Sequence, residues 1–139
     1  MTNELPSRLG KSLFVPILVL FVATLGSLVG CGGPQLASVT GTVTYKNEPL
    51  KQGTILFHSG TRHAAAGKIV DGKILEVTTF AAGDGATLGP NKVTIVSLEN
   101  PDDMYSDKSL IPVKYSKVDE SNLSCDLKPG VNEVKFNIE

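Results

Sequence analysis

The side chains best suited to bind a metal ion are two histidines, His58 and His63, which lie five residues apart across a predicted turn. Imidazole is a common zinc ligand, but a protein zinc site needs at least three ligands and this pair supplies two. A third could come from Asp84, Asp102 or Asp103. An exposed or hydrogen-bonded histidine pair is the simpler interpretation, so we expect no metal site and no bound cofactor.

Nucleophilic chemistry would require an activated thiol or hydroxyl. Cys125 alternates with Leu123 and Leu127, which places the three side chains on one face of a predicted strand. A thiol packed beside leucines is inert unless a neighbouring cation lowers its pKa, and no such cation is visible in the sequence. We therefore predict a non-enzymatic protein; a hydrolase that uses His58 or His63 is the less favoured alternative.

The N-terminus has the order of a secretory signal. Arg8 and Lys11 precede residues 13–30, an apolar run without a charged side chain. A positive end followed by an apolar helix is what the export machinery recognises. The alternative is an uncleaved membrane-spanning helix, since eighteen residues reach ~27 Å at a rise of ~1.5 Å per residue. The polar, glycine-rich stretch that follows favours the signal.

The apolar run ends in the tetrapeptide Leu28-Val29-Gly30-Cys31, which resembles the lipobox of bacterial lipoproteins. The resemblance implies cleavage after Gly30 and a diacylglyceryl group on the thiol of Cys31. It divides the chain into a signal peptide (1–30), a lipidated cysteine with a flexible tether (31–36) and a folded domain (37–139). The protein is then exported and anchored to a bacterial membrane, on its periplasmic or cell-surface side.

Size and charge limit what the folded part can be. The chain has 139 residues, with 13 basic and 14 acidic side chains and a net charge of −1. One modest core is all that such a chain can build. Nucleic-acid binding usually requires a strongly basic surface, and there is no basic block here, so nucleic acid is excluded as an expected partner.

Alternating apolar and polar residues predict strands throughout the domain. The Asp71-Gly72 dipeptide predicts a hairpin turn between two of them. No segment shows a helical apolar period, so the sequence predicts an all-β fold, a seven-stranded antiparallel β-sandwich. The predicted strands are residues 38–45, 54–57, 64–70, 73–80, 92–98, 122–127 and 132–138.

One connection, residues 99–121, is longer than most loops in compact domains. Its first half is polar and acidic and is expected to be mobile. Its second half, residues 110–115, is apolar enough to pack on the sheet. We select Tyr105, Lys114 and Tyr115 as possible partner contacts, because exposed aromatic and lysine side chains often bind partners. Packing within the loop is the alternative role for these three residues.

The order of these elements resembles that of small bacterial lipoproteins with a transthyretin-like, or carboxypeptidase-regulatory-like, domain. The resemblance implies a seven-stranded sandwich of immunoglobulin-like type in the cell envelope, with no agreed activity. The sequence departs from the family pattern at residues 73–76. The motifs that carry the resemblance are Val39-Thr40-Gly41-Thr42-Val43, Gly67-Lys68-Ile69 with Asp71-Gly72, Gly83-Asp84-Gly85, Ile111-Pro112-Val113-Lys114-Tyr115 and residues 127–130.

The sequence thus predicts a lipid-anchored, non-enzymatic binding or structural module of the cell envelope. Its expected partners are the membrane, through the lipid, and an envelope protein or glycan. The alternative is a domain that recognises a glycan or a peptide through a sheet edge or face. The absence of tryptophan from the chain weighs against sugar stacking.

Overall fold

The structure of the protein is a computed structural model that describes residues 32–102 and 108–139. Residues 34–139 form one compact unit. The predicted signal peptide, the cleavage site Gly30–Cys31 and the candidate contact Tyr105 lie outside the described residues.

The described residues form nine β-strands and one short 3-10 helix. The predicted all-β, β-sandwich-type fold is confirmed. Each of the seven predicted strands is present, and two strands of two residues each are added. The strands are β1 Leu36–Tyr45, β2 Glu48–Pro49, β3 Gln52–His58, β4 Ala65–Val70, β5 Lys73–Thr78, β6 Ala86–Thr87, β7 Gly89–Val96, β8 Leu123–Leu127 and β9 Val131–Ile138, and the 3-10 helix is Val113–Ser116.

The strands form one sheet that curls into a half-barrel, in the order β9-β1-β5-β4-β3-β7-β8. The short strands β2 and β6 pair with the two ends of β1. Neighbours along this order are antiparallel except β1 and β9, which are parallel from Ser38↔Val131 to Tyr45↔Ile138. The sequence analysis did not predict this parallel pair, because alternation within a strand does not show the direction of its partner.

Alternation along each strand separates the core from the solvent. In β1, Val39 and Val43 are buried while Thr40 and Thr42 are exposed, as predicted. The central strand β7 is covered on both faces, as its two-sided apolar pattern predicted, and even Thr94 is only 1% exposed. The half-barrel encloses a core of aliphatic and aromatic side chains that includes Ile55, Phe57, Ile69, Ile95, Phe136 and Ile138.

Glycine is required where β1 meets its neighbours. A Cβ added to Gly41 would overlap the carbonyl oxygen of Val134 in β9. A Cβ added to Gly85, whose φ is +94°, would overlap the carbonyl oxygen of Ala37 at the start of β1. Backbone approaches this close exclude a side chain. Because these two positions are glycine, β1 can pair with β9, and the loop that precedes β6 can pack against the start of β1.

The loop between β5 and β6 is folded around the Asp84 carboxylate. This group accepts hydrogen bonds from the backbone N–H groups of Thr79 at 2.6 Å, Ala81 at 2.8 Å and Phe80 at 2.9 Å. The bond from Thr79 is the main cause that lowers the pKa of Asp84, and the other two amides add to it. Asp84 thereby fixes the loop that carries Ala82 and Gly83.

The second half of the long connection is ordered, as predicted. The Leu110 amide donates to the carbonyl oxygen of Ser97 at 2.8 Å, and Ile111 is 4% exposed. Tyr115 lies in the core, where its hydroxyl donates to the carbonyl oxygen of Glu139 and accepts from its N–H, both at 3.0 Å. Tyr115 thus ties this segment to the end of β9.

Tyr115→Phe keeps the ring and removes the hydroxyl that bonds Glu139. We expect the free energy of unfolding to fall by about 1–2 kcal/mol, because one hydrogen bond contributes about 1 kcal/mol net and an unsatisfied partner adds to the loss. Urea unfolding of the full-length protein in detergent measures the change. The control is Tyr45→Phe, since the half-buried Tyr45 ring meets the Lys46 ammonium without using its hydroxyl. Equal losses in both variants would contradict the role of Tyr115.

Asp84→Asn tests the loop between β5 and β6. The folded pKa of Asp84 lies below its ordinary value of 3.8, so its carboxylate stabilises the fold above pH 3.8 and this contribution is lost as the pH falls through the folded pKa. We expect the variant to be less stable at neutral pH and to lose less stability on acidification, measured by thermal unfolding between pH 7 and 2.5. Asp119→Asn, at a side chain 92% exposed, should keep the wild-type profile.

Candidate functional site

A groove lies on the solvent-exposed face of β3, β4 and β5 and is closed at one side by the loop after β5. Its volume is about 640 Å³. We call it the sheet groove. None of its lining side chains is aromatic. They are Thr54, Ala66, Gly67, Lys68, Glu76, Thr78, Ala82 and Gly83.

A second depression of about 390 Å³ continues the sheet groove toward the far side of β3. The two share Thr54 and Lys68. The second depression extends to Val96, Leu98 and Pro101. The two depressions therefore adjoin on the sheet.

An exposed ion pair lies in the sheet groove. Lys68 Nζ and Glu76 Oε2 are 2.9 Å apart, and their side chains are 71% and 68% exposed. The hydrogen bond from Lys68 lowers the pKa of Glu76, and the charge of Lys68 adds to the effect. A pair this exposed contributes little to stability. Its two charges are instead open to a ligand.

A β-bulge turns Glu76 toward Lys68. The pairing of β4 with β5 shifts register between Ala66 and Lys68, and Glu76 has a positive φ of 52°. The Thr78 hydroxyl donates to the Glu76 carbonyl oxygen at 3.0 Å and holds the bulge. The extra residue leaves both Leu75 and Glu76 exposed while Val77 returns to the core.

The bulge and the groove were missed by the sequence analysis. A strand predicted over residues 73–80 with regular alternation would place Ile74 and Glu76 on the same face. The available signal was the three-residue spacing from Ile74 to Val77, which breaks a period of two.

The two histidines have separate partners. His58 Nε2 is 3.0 Å from the Thr94 hydroxyl, and the His63 ring packs edge-to-face on Phe80 with centroids 5.4 Å apart. The Asp84 carboxylate accepts hydrogen bonds from three backbone amides. Within residues 32–102 and 108–139 no group of three or more potential metal ligands was found. Asp102 is exposed, and Asp103 lies outside the described residues.

Cys125 faces the core between Leu123 and Leu127, as predicted. Burial raises the pKa of its thiol to about 11, and the negative charge of Asp126 adds to the shift. Since the thiolate is the reactive form, Cys125 is a poor nucleophile at neutral pH.

Of the predicted partner contacts, Tyr115 and Lys114 are described. Tyr115 is 6% exposed and packs into the core. Lys114 is exposed, and its Nζ lies 4.8 Å from the centroid of the Tyr115 ring. Tyr115 therefore has a structural role, whereas Lys114 still presents a cation to solvent.

The arrangement on β3, β4 and β5 is suited to non-covalent recognition. It offers one cation, one anion and a Thr54 side chain exposed on a rigid sheet. Charged groups can form short, strong hydrogen bonds to a ligand that carries the opposite charges. A ligand with both an ammonium group and a carboxylate would satisfy both members of the ion pair.

Comparison with known proteins found no relative of this chain. No family model matches the sequence, and neither a curated protein nor a solved structure matches it. In the part of the chain that the structure describes, no helix has the length and apolar character needed to cross a bilayer. The resemblance to transthyretin-like lipoproteins stays a prediction.

Proposed function

We propose that this protein is a lipid-anchored, non-enzymatic module of the bacterial cell envelope that binds a short peptide segment in the sheet groove. The observation that carries the proposal is the Lys68–Glu76 ion pair, held by a bulge on the exposed face of the sheet. A bulge is a specific backbone feature that redirects a side chain, and here it brings an anion beside a cation in a groove.

The size and chemistry of the groove support a peptide ligand. Pockets of about 300–1,000 Å³ hold small ligands or short polymer segments, and the sheet groove is within this range. The neighbouring depression with Val96 and Leu98 would accept an apolar side chain of the same peptide. An extended peptide has the required alternation of charge and apolar groups.

A glycan is the second candidate, and the groove supports it less well. Sugar rings pack on flat aromatic surfaces, and none of the residues that line the sheet groove is aromatic. The hydroxyl of Thr78 is engaged with Glu76 and accepts from the Gly83 amide at 2.9 Å. This leaves Thr54 and the two charged side chains as the polar groups open to a sugar.

The cellular location in this proposal comes from the N-terminal sequence. The apolar run of residues 13–30 and the lipobox that ends at Cys31 support export and lipid attachment. Two acyl chains would hold the protein stably, because each buried methylene contributes about 0.8 kcal/mol. The folded domain then stands at the membrane surface as a tethered receptor.

Lys68→Glu tests the sheet groove. We expect it to weaken binding of a short peptide that has a free amine and a free carboxylate by roughly 10- to 100-fold, because hydrogen bonds to charged groups contribute about 1.5–3 kcal/mol. Isothermal titration with the mature protein in detergent measures the affinity, and a neutral oligosaccharide serves as the competing probe.

Lys135→Glu is the matched control for this titration. Lys135 forms an exposed pair with Glu133 on β9, at 3.3 Å and away from the groove. Its replacement should leave peptide affinity unchanged. Equal weakening by both substitutions would show that net charge, not the groove, determines binding. Binding of the oligosaccharide alone would favour the glycan alternative.

Cys31→Ser tests the anchor. We expect the variant to leave the membrane fraction, because the thiol that would carry the lipid is absent. Fractionation of cells followed by mass spectrometry of the mature protein measures both location and mass. Cys125→Ser, at the core-facing thiol, is the control and should stay in the membrane fraction. Retention of Cys31→Ser with an intact Met1 would support the membrane-spanning alternative.

A further inference from the structure

We infer that the end of the half-barrel from which the tether leaves docks on the lipid surface, with Phe80 and Val131 as its apolar contacts. This inference rests on the proposed lipid anchor at Cys31 and adds an orientation to it. We call this end the tether end. It consists of residues 59–64, residues 79–85, the turn of residues 128–130 and Val131.

Strand pairing brings these segments together. The start of β1 pairs with β6 through Ala37↔Ala86 and with β9 through Ser38↔Val131. The backbone of Gly85 lies against Ala37, which places the loop after β5 beside the same residue. The His63 ring then packs on Phe80 and brings in the loop after β3. The tether end therefore surrounds the first residues of β1.

The tether is too short to keep this end away from the membrane. The chain is held from Gln35 onward, since the carbonyl oxygen of Gln35 accepts a hydrogen bond from the Leu88 amide at 3.0 Å. Three residues separate Gln35 from Cys31, and the four extended steps from one to the other span at most ~14 Å. A cysteine whose acyl chains are inserted in a bilayer thus holds the tether end at or near the headgroups.

The side chains at the tether end suit a lipid surface. Val131 is 77% exposed and Phe80 is 57% exposed, so both present apolar surface to solvent. Arg62 adds an exposed cation that can meet lipid phosphates. The carboxylate of Asp84 keeps its negative charge, which backbone amides stabilise, and Asp126 is paired with Lys128. The cations Arg62 and Lys128 therefore balance these two carboxylates at the tether end.

The end of the half-barrel opposite the tether end carries an exposed valine that can serve as a control position. Val113 is 61% exposed and begins the 3-10 helix that contains Tyr115, which bonds Glu139 at the far end of β9. Val131 begins the same strand. The eight residues of β9 span ~23 Å at a rise of ~3.3 Å per residue. Val113 and Val131 are therefore similar in exposure and lie at opposite ends of the molecule.

The test places a fluorescent label at Val131→Cys or at Val113→Cys in the Cys125→Ala background. The full mature protein is reconstituted in vesicles of phosphatidylethanolamine and phosphatidylglycerol that contain lipids with a quencher in the headgroup region. Because ~23 Å separates the two ends of β9, we expect the label at 131 to be quenched at least about twofold more than the label at 113. Mass spectrometry of the same sample establishes whether Cys31 carries lipid.

A second variant separates docking from simple proximity. Phe80→Ser removes one apolar contact without touching the tether, so quenching of the label at 131 should decrease, whereas Val113→Ser should leave it unchanged. Equal quenching at 131 and 113 on a protein with lipidated Cys31 would overturn the docking and leave the anchor intact. An unmodified Cys31 would overturn the proposed anchor and the docking with it. A label at 131 shielded in native membranes but not in lipid vesicles would show that a protein or polymer covers this end, which also contradicts the inference.

Discussion

The parallel pairing of β1 with β9 is the constraint on which the rest of the fold depends. β1 also pairs with β2, β5 and β6, so one ten-residue strand contacts four others. The approach of β9 requires that position 41 be glycine, because the carbonyl oxygen of Val134 occupies the space of a side chain. The same strand leads to Glu139, whose carbonyl oxygen accepts a hydrogen bond from the Tyr115 hydroxyl.

The two faces of β4 and β5 show how one irregular residue can keep the core packed and still change the exposed face. The core side keeps Ile69, Ile74 and Val77 buried. Because of the bulge at Glu76, the next buried residue after Ile74 is three positions further on, at Val77, and not two. The same bulge leaves the Glu76 carboxylate exposed beside Lys68. A solvent-exposed ion pair adds little to folding free energy, so its position in a groove is the feature that needs a functional explanation.

The two ends of the half-barrel are built differently, although each presents an exposed valine, Val131 at one end and Val113 at the other. The end beside Ala37 holds the loop organised by Asp84 and presents exposed apolar side chains. The other end is closed by the segment that contains Ile111 and Tyr115, which packs against the core and the chain terminus. The sheet groove lies on the face of β3, β4 and β5 and reaches the first of these ends at Ala82 and Gly83.

The sequence by itself determined the local structure. The alternation of apolar and polar residues correctly placed Val39, Val43 and the Cys125 thiol on the core side of their strands. Apolar residues on both faces of β7 correctly predicted that this strand is covered on both sides. These predictions succeed because a side-chain period of two is a property of the strand alone. Tertiary structure decided the direction of β9, the bulge that exposes Glu76 and the role of Tyr115. The direction of β9 and the role of Tyr115 depend on contacts between residues distant in the chain, which no local pattern records. The spacing of Ile74 and Val77 hinted at the bulge, but its pairing with β4 is what places Glu76 beside Lys68.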